Sequence, residues 1–164
     1  MKLLLTGANG LVGRACQIYA KKFNCDTTII SSKKPLYKNF KCYKKLEDIQ
    51  TLNINYDLLI HCAAATPNNS EFEEIFKINR GIDKSLSEFI RKFSVRHVIY
   101  LSTMSVYGEI EVDVLNEKTE INNPNQYGYS KFLGEIDVKD CCIQNKSRLT
   151  ILRLPGIVGK GMPN

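Results

Sequence analysis

The sequence has 164 residues, of which 43% are hydrophobic and 24% are charged, a composition typical of one globular domain. No apolar stretch approaches the ~20 residues of a membrane helix, and the apolar run that follows Met1 ends at Thr6, too early for a signal peptide. We therefore expect a cytoplasmic protein without a membrane partner.

The cysteines predict no metal site, and the net charge of +6 comes without the features of a nucleic-acid-binding surface. The six cysteines form no Cys-x-x-Cys pair and have no histidine at metal-ligand spacing. Lysines crowd into residues 33–45, without the interleaved arginines and exposed aromatic side chains that a nucleic-acid groove needs. We expect a solvated lysine surface, with an anionic ligand near Lys33 as the alternative.

Apolar periodicity predicts strands that alternate with helices along the chain. The predicted strands are residues 2–6, 27–30, 41–43, 56–62, 97–102 and 149–154. The predicted helices are residues 11–23, 46–52, 71–93 and 126–145. Ser70 is expected to cap the third of these helices. The alternation predicts an α/β fold, a doubly wound parallel sheet with helices on both faces.

Four segments of unusual composition follow predicted strands. In a parallel sheet the carboxyl ends of the strands meet at one edge, and ligands bind there at the point where the strand order reverses. That edge would bring together the glycine-rich segment 6–13 and residues 63–66, 102–108 and 155–159. The coincidence predicts a bound ligand.

The glycine turn, Thr6-Gly7-Ala8-Asn9-Gly10-Leu11-Val12-Gly13, joins the first predicted strand to the first helix. Gly7 would permit a tight turn with positive φ, Gly10 would let the backbone approach a pyrophosphate, and Gly13 would let the helix pack closely. Free N–H groups at the helix start would face the phosphates. A purely structural turn is the alternative, but one or two glycines would suffice for it, so the spacing favours a dinucleotide.

The same turn resembles the Thr-Gly-x-x-Gly-x-x-Gly fingerprint of the extended short-chain dehydrogenase/reductases, the NAD-dependent epimerase/dehydratase family. Other family motifs recur in order: His61-Cys62-Ala63-Ala64, the helix asparagine Asn79, segments 102–108 and 127–131, and a run that starts at Arg153. The resemblance implies a Rossmann fold over residues 1–164 that binds NAD(P). The expected cofactor contacts come from Gly7, Asn9, Gly10, Leu11, Val12, Gly13, Ser31, Ser32, Lys33, Cys62, Ala63, Ala64, Asn79, Leu101, Tyr127, Lys131, Leu154 and Pro155.

Two tyrosines, Tyr127 and Tyr129, compete for the role of proton donor and acceptor in the second active-site segment. Residues four apart on a helix share a face and residues two apart do not, so Tyr127 is the one that pairs with Lys131. A phenol with a pKa of about 10 is a poor base at neutral pH. A nearby ammonium group is expected to lower the pKa of Tyr127. The resemblance implies that Lys131 also holds the nicotinamide ribose.

Thr103 is the hydroxyl expected to bind a substrate oxygen. Ser102 and Ser105 are its rivals, but the alternation of side chains along a strand turns Ser102 to the other face. The family pattern Ser/Thr-x-x-Val-Tyr-Gly also falls on Thr103. The implied reaction is hydride transfer between a substrate carbon and nicotinamide, with Thr103, Tyr127 and Lys131 as the catalytic residues.

The sequence departs from the family pattern in ways that narrow the expected reaction. Thr103-Met104-Ser105 replaces the Thr-Asp-Glu of the 4,6-dehydratases, which disfavours dehydration and leaves an epimerase or a ketoreductase acting on a nucleotide-activated sugar. Gly156 stands where many epimerases have an asparagine that binds substrate. Family members are longer, so their carboxyl-terminal substrate domain is expected to be absent here. A non-catalytic dinucleotide sensor, a non-sugar carbonyl reductase and a homodimer are left open.

The end of the second predicted strand determines the expected cofactor. In NAD-preferring relatives an acidic residue ~20 positions after the glycine motif binds the ribose hydroxyls. Residues 29–34 contain no carboxylate. We therefore expect NADP(H) to be favoured over NAD(H), through Ser31, Ser32 and Lys33.

Overall fold

The computed structural model describes residues 1–49, 55–67 and 72–159. The strands are β1 (Lys2–Thr6), β2 (Asp26–Ile30), β3 (Lys41–Tyr43), β4 (Leu58–His61), β5 (His97–Thr103) and β6 (Arg148–Leu154). The helices are α1 (Leu11–Lys22), α2 (Phe72–Lys92) and α3 (Gln126–Gln144), with short 3₁₀ turns at Leu46–Asp48 and Met104–Tyr107.

The six strands form one parallel sheet in the order β3-β2-β1-β4-β5-β6. The chain runs outward from β1 to β3, then returns to the other side of β1 and runs outward again from β4 to β6. This is the doubly wound Rossmann arrangement that the sequence predicts, and its switch point lies between β1 and β4.

Helices cover both faces of the sheet, because the side chains of the strands alternate in direction. On one face, Leu4 and Leu59 pack with apolar residues of α2 and α3. On the other face, Leu3 and Leu5 pack with Ala20 of α1. The predicted layers are therefore confirmed.

The second predicted helix, residues 46–52, shows the main local difference. Residues 46–48 form a 3₁₀ turn, in which the Asp48 carboxylate accepts a 2.9 Å hydrogen bond from the Lys45 backbone N–H. Leu46 and Ile49 are buried, which explains the helix-like apolar spacing. The rest of that predicted helix, residues 50–52, and the predicted cap Ser70 lie outside the described residues. Within the described ranges, none of the helices is long and apolar enough to cross a membrane.

Candidate active site

The glycine turn has the backbone geometry that its spacing predicts. Gly7 has φ +63°, and a Cβ there would lie 2.5 Å from the Ala63 backbone nitrogen. A Cβ on Gly13 would lie 2.2 Å from the Gly7 carbonyl oxygen. These contacts hold the turn against the end of β4 and against the start of α1.

Gly10 differs from the other two glycines because its missing side chain faces open space. The nearest atom to a Cβ at this position is the Gly7 carbonyl oxygen, at 3.5 Å. Gly10 is also the N-cap of α1, and its position provides no side-chain hydrogen bond to the helix start. The first turn of α1 contains no acidic residue, so its positive dipole end and free N–H groups suit an anion.

A cleft of about 1010 Å³ opens at the switch point between β1 and β4. Eight of the predicted cofactor residues line it: Gly7, Asn9, Gly10, Ser31, Ser32, Cys62, Ala63 and Ala64. Three further lining residues, Thr6, Ala8 and Ala65, lie in segments that were predicted to reach this edge. The sequence analysis missed the others: Ile30, Lys44, Lys45, Leu46, Glu47, Asp48, His61, Ile78, Gly81, Ile82 and Ser85. Lys44–Asp48 could have been anticipated, because the end of β3 lies on the same edge of the sheet.

The end of β2 is tied to the glycine turn by side-chain hydrogen bonds. The Asn9 amide donates to the Ser31 hydroxyl and, at 3.4 Å, to the Lys33 carbonyl oxygen. The Ser31 hydroxyl also accepts from the Lys33 backbone N–H at 3.0 Å. Lys33 itself is exposed and does not line the cleft, whereas Lys44 and Lys45 do.

Asn79 of α2 is buried beneath the loop that follows β4. Its amide oxygen accepts from the Ala65 N–H at 2.8 Å, and its amide nitrogen donates to the Ala65 carbonyl at 3.2 Å and to the Ser130 hydroxyl at 3.1 Å. Asn79 thus shapes one wall of the cleft by fixing the Ala65 backbone and joining it to α3.

Several predicted cofactor residues lie away from the lining of this cleft. Leu11, Val12 and Gly13 belong to the first turn of α1, and Leu101 lies within β5. Leu154 lines a second cleft of about 500 Å³, which also contains Arg153 and its partner Glu135. Pro155 is exposed just beyond β6.

Thr103 and Tyr127 come together at the carboxyl end of β5. The Thr103 hydroxyl lies near enough to the Tyr127 phenol to lower its pKa. Thr103 caps the following 3₁₀ turn, where its hydroxyl accepts from the Ser105 N–H at 3.2 Å. Ser102 is buried on the opposite side of the strand, as the alternation predicts.

The start of α3 brings Tyr127 to this position. The Asn125 side chain accepts a 2.8 Å hydrogen bond from the Gly128 N–H and caps the helix. A Cβ on Gly128 would lie 2.1 Å from the Ser105 carbonyl oxygen, so glycine permits the close approach of α3 to the end of β5. Tyr129 points outward, with its exposed ring stacked on Phe76.

The prediction that Lys131 lowers the pKa of Tyr127 is wrong: that pKa is raised, and Lys131 is not among the groups that shift it. Burial raises the pKa of Tyr127, and the Thr103 hydroxyl lowers that pKa only in part. The Lys131 ammonium instead lies 4.0 Å from the centre of the Tyr100 ring and is almost fully buried. Helical spacing placed the two side chains on one face but could not show that Lys131 turns toward β5.

The NAD dependent epimerase/dehydratase family matches residues 3–164, and the chain belongs to that family. It is 28% identical over 119 residues to the D-erythronate dehydrogenase of Cupriavidus necator, an alignment that covers 70% of this chain and 37% of the relative.

Solved structures share the fold. The UDP-Glc/GlcNAc 4-epimerase of Campylobacter jejuni superposes with a TM-score of 0.79 at 23% identity, over 93% of this chain and 52% of that one. The UDP-glucuronic acid 4-epimerase of Bacillus cereus, in complex with NAD, gives a TM-score of 0.76 at 23% identity, over 94% of this chain and 56% of that one. This chain thus spans about half the length of these structures.

Proposed function

We propose that residues 1–164 act as the dinucleotide-binding domain of an NAD(P)-dependent oxidoreductase or epimerase. The residues fit such a cofactor. The open space at Gly10 and the uncapped start of α1 accommodate a pyrophosphate, and the cleft extends past Ser31 and Ser32 toward the end of β3. When bound, NAD(P) would supply the hydride acceptor or donor.

The observation that carries the catalytic proposal is the close approach of α3 to the end of β5 at Gly128, which places Tyr127 beside Thr103. Because its pKa is raised, Tyr127 is protonated at neutral pH and can donate its proton to a carbonyl oxygen. The Thr103 hydroxyl can hold that same oxygen. In the reverse direction the Tyr127 phenolate accepts the proton of a substrate alcohol and becomes a neutral phenol.

We propose a nucleotide-activated sugar as the substrate and epimerisation or keto reduction as the reaction. The family and the two nucleotide-sugar epimerases of the same fold support this choice. Met104 and Ser105 follow Thr103 and offer no carboxylate for elimination, which disfavours dehydration.

A second candidate substrate is a small polyhydroxy acid without a nucleotide. The relative from Cupriavidus necator, at 28% identity, is a D-erythronate dehydrogenase. Such a substrate would need the same hydride and proton transfer at Thr103 and Tyr127 but no site for a nucleoside diphosphate.

The preferred cofactor is proposed to be NADP(H). Ser31 and Ser32 line the cleft at the end of β2. A carboxylate in their place would repel the 2′-phosphate of NADP(H), whereas two hydroxyl groups accommodate it. Lys44 and Lys45 add positive charge to the lining, although Glu47 and Asp48 stand beside them.

An assay of dinucleotide reduction tests this function. The chain is incubated with NAD⁺ or NADP⁺ and with UDP-glucose, UDP-galactose or D-erythronate, while formation of the reduced cofactor and of the epimeric sugar is followed. Turnover of a UDP-sugar that Tyr127→Phe abolishes supports the proposal. Turnover of D-erythronate alone would favour the second candidate, and the absence of dinucleotide binding would contradict the proposal.

A further inference from the structure

A cluster of four buried polar side chains lies behind the cleft, between the sheet and the helices α2 and α3. His61 ends β4, Asp83 belongs to α2, Tyr100 belongs to β5 and Lys131 belongs to α3. Each is no more than 2% exposed. Charged groups buried this deeply require compensation by other charges or hydrogen bonds.

The contacts within the cluster centre on Asp83 and Tyr100. The Tyr100 hydroxyl donates a 2.9 Å hydrogen bond to Asp83 Oδ1, and His61 Nε2 lies 3.8 Å from the same oxygen. The His61 ring stacks on the Tyr100 ring with a centroid distance of 5.4 Å, and the Lys131 ammonium lies 4.0 Å from the centre of the Tyr100 ring. Tyr100 therefore contacts the buried cation with its ring and the buried carboxylate with its hydroxyl.

Gly134 allows this arrangement to be so compact. A Cβ at this position would lie 2.2 Å from the Tyr100 hydroxyl and 2.3 Å from Asp83 Oδ2. The glycine lies three residues after Lys131 on α3, and residues at this spacing share a helix face. The close approach of α3 thus brings the Lys131 ammonium against the ring of Tyr100, whose hydroxyl donates to Asp83.

The buried histidine does not act as the cation of the cluster. Burial, followed by the nearby Lys131 charge, holds the pKa of His61 well below its usual value, so its ring is neutral. Its Nδ1 atom shares a 2.8 Å hydrogen bond with the Thr6 hydroxyl. Asp83 is left with Lys131 as the buried cation of the cluster.

Asp83 and Lys131 each shift the pKa of the other in the direction that favours its charged form. Burial lowers the pKa of Lys131, and Asp83 is the strongest influence that raises it again, ahead of Glu135 and Cys62. Burial raises the pKa of Asp83, and Lys131 is the strongest influence that lowers it. Glu135 already has a partner, because the Arg153 guanidinium donates to its two oxygens at 3.0 Å and 2.7 Å.

We propose that Asp83 is a positioning residue: its carboxylate, acting across the Tyr100 ring, keeps Lys131 charged and seated beside β5. This role deepens the proposed function and rests on it, because the charged Lys131 would steady the nicotinamide ribose. Among the described residues, Asp83 Oδ2 and His61 Nε2 have no hydrogen-bond partner. A buried carboxylate with one oxygen that lacks a hydrogen bond lowers the stability of the fold, and the positive charge of Lys131 offsets that loss.

The substitution Asp83→Asn separates a charge role from a merely structural one. Asparagine has nearly the same shape, and its side-chain oxygen can still accept from the Tyr100 hydroxyl, but it has no charge. Tyr100→Phe is the matched control, since it removes the hydroxyl and keeps both charges and the ring. The ionisable groups that face the pair from the surrounding elements, and that stay constant in both variants, are His61, Cys62, Arg80, Glu135 and Asp137.

The experiment follows the lysine Nζ and Cε resonances of the isotopically labelled chain, without cofactor, as the pH is raised. Lys131→Arg identifies the signal of Lys131. In Asp83→Asn the Lys131 ammonium should lose its proton at lower pH than in the wild type, and in Tyr100→Phe it should remain charged to higher pH than in Asp83→Asn. A Lys131 titration that is identical in Asp83→Asn and the wild type would overturn the proposal.

Cofactor affinity provides the second readout and separates the two proposals. If Lys131 contacts the ribose, Asp83→Asn should weaken NADH or NADPH binding ~tenfold at neutral pH, the effect of losing one hydrogen bond from a charged group. A shifted Lys131 titration with unchanged affinity would support the role of Asp83 and contradict only the ribose contact. Should Asp83→Asn not fold, the double variant Asp83→Asn/Lys131→Met removes both charges: recovered folding supports the pairing, and continued unfolding contradicts it.

Discussion

The Thr103 hydroxyl, at the carboxyl end of β5, lies near enough to the Tyr127 phenol of α3 to lower its pKa. One hydrogen bond and one close backbone approach produce this arrangement. Thr103 is held by its bond to the Ser105 N–H, and Gly128 lets the first turn of α3 lie against the Ser105 carbonyl. The pair stands next to the switch point, where a dinucleotide would present its reactive end.

Replacement of Tyr127 by phenylalanine should separate binding from proton transfer. Tyr127→Phe keeps the ring in its half-buried position and removes the hydroxyl, so dinucleotide affinity should change little. Turnover should fall ~10²-fold or more, the usual contribution of a positioned acid or base. Steady-state kinetics and a cofactor titration measure both quantities. Tyr129→Phe, at the exposed ring on the same helix, is the control, and equal turnover in Tyr127→Phe and Tyr129→Phe would remove Tyr127 from the mechanism.

The thiol of Cys16 should react at lower pH than an ordinary cysteine. The adjacent Cys62 thiol lowers the pKa of Cys16 to about 7, whereas the pKa of Cys62 is raised. The thiolate is the reactive form, so alkylation of Cys16 should rise as the pH passes through about 7. Peptide mass mapping after brief iodoacetamide treatment reports the rate at Cys16 itself.

The variant Cys62→Ala provides the control for this prediction, because it removes the thiol that lowers the pKa of Cys16. The rise in alkylation of Cys16 should then move to higher pH. An unchanged pH profile in Cys62→Ala would show that the two thiols do not interact in solution.

Removal of Arg153 should destabilise the fold through the charge it leaves behind. Glu135 is 5% exposed, and Arg153 is its bidentate partner. Arg153→Met should lower the free energy of unfolding by about 3 kcal/mol, as expected when one member of a buried ion pair is removed. Chemical denaturation measures the change. The double variant Arg153→Met/Glu135→Gln should recover part of the loss, and a double variant no more stable than Arg153→Met would contradict this account.

A carboxylate at the end of β2 should reverse the proposed cofactor preference. Ser32 is exposed and lines the cleft, so Ser32→Asp places a negative charge where a 2′-phosphate would lie. NADPH binding should weaken about tenfold, an energy on the order of 1 kcal/mol for two charges near a protein surface. Parallel titrations with NADH and NADPH at one salt concentration measure the ratio. Wild-type binding that is equal for both cofactors, or tighter for NADH, would contradict the preference.

Local patterns predicted the features that depend on neighbouring residues. Strand alternation placed Ser102 inside and Thr103 at the site, and the spacing of Gly7, Gly10 and Gly13 predicted a turn that the backbone angles and close contacts confirm. The order of strands and helices was sufficient to predict the parallel sheet and its ligand-binding edge.

Features that depend on long-range packing could not be obtained in this way. Helical periodicity put Lys131 on the face of Tyr127, but its direction is set by Tyr100 and Asp83, which come from β5 and α2. The close approach at Gly128 depends on the Ser105 carbonyl of another element. An isolated sequence contains no information on such contacts until the helices are placed on the sheet.

The central claim is that the glycine turn binds the pyrophosphate of the cofactor. Calorimetric titration of the wild type and of Gly10→Val with NADH and NADPH tests it most directly. A valine side chain at position 10 would point into open space, so the chain should fold normally while the branched group occupies the place of the pyrophosphate. Gly156→Val is the matched control, because Gly156 also has free space around it but lies beyond β6. The account predicts saturable binding to the wild type and to Gly156→Val, and its loss in Gly10→Val with the circular dichroism spectrum unchanged. Equal affinity of the wild type and Gly10→Val, or no binding to the folded wild type, would contradict it.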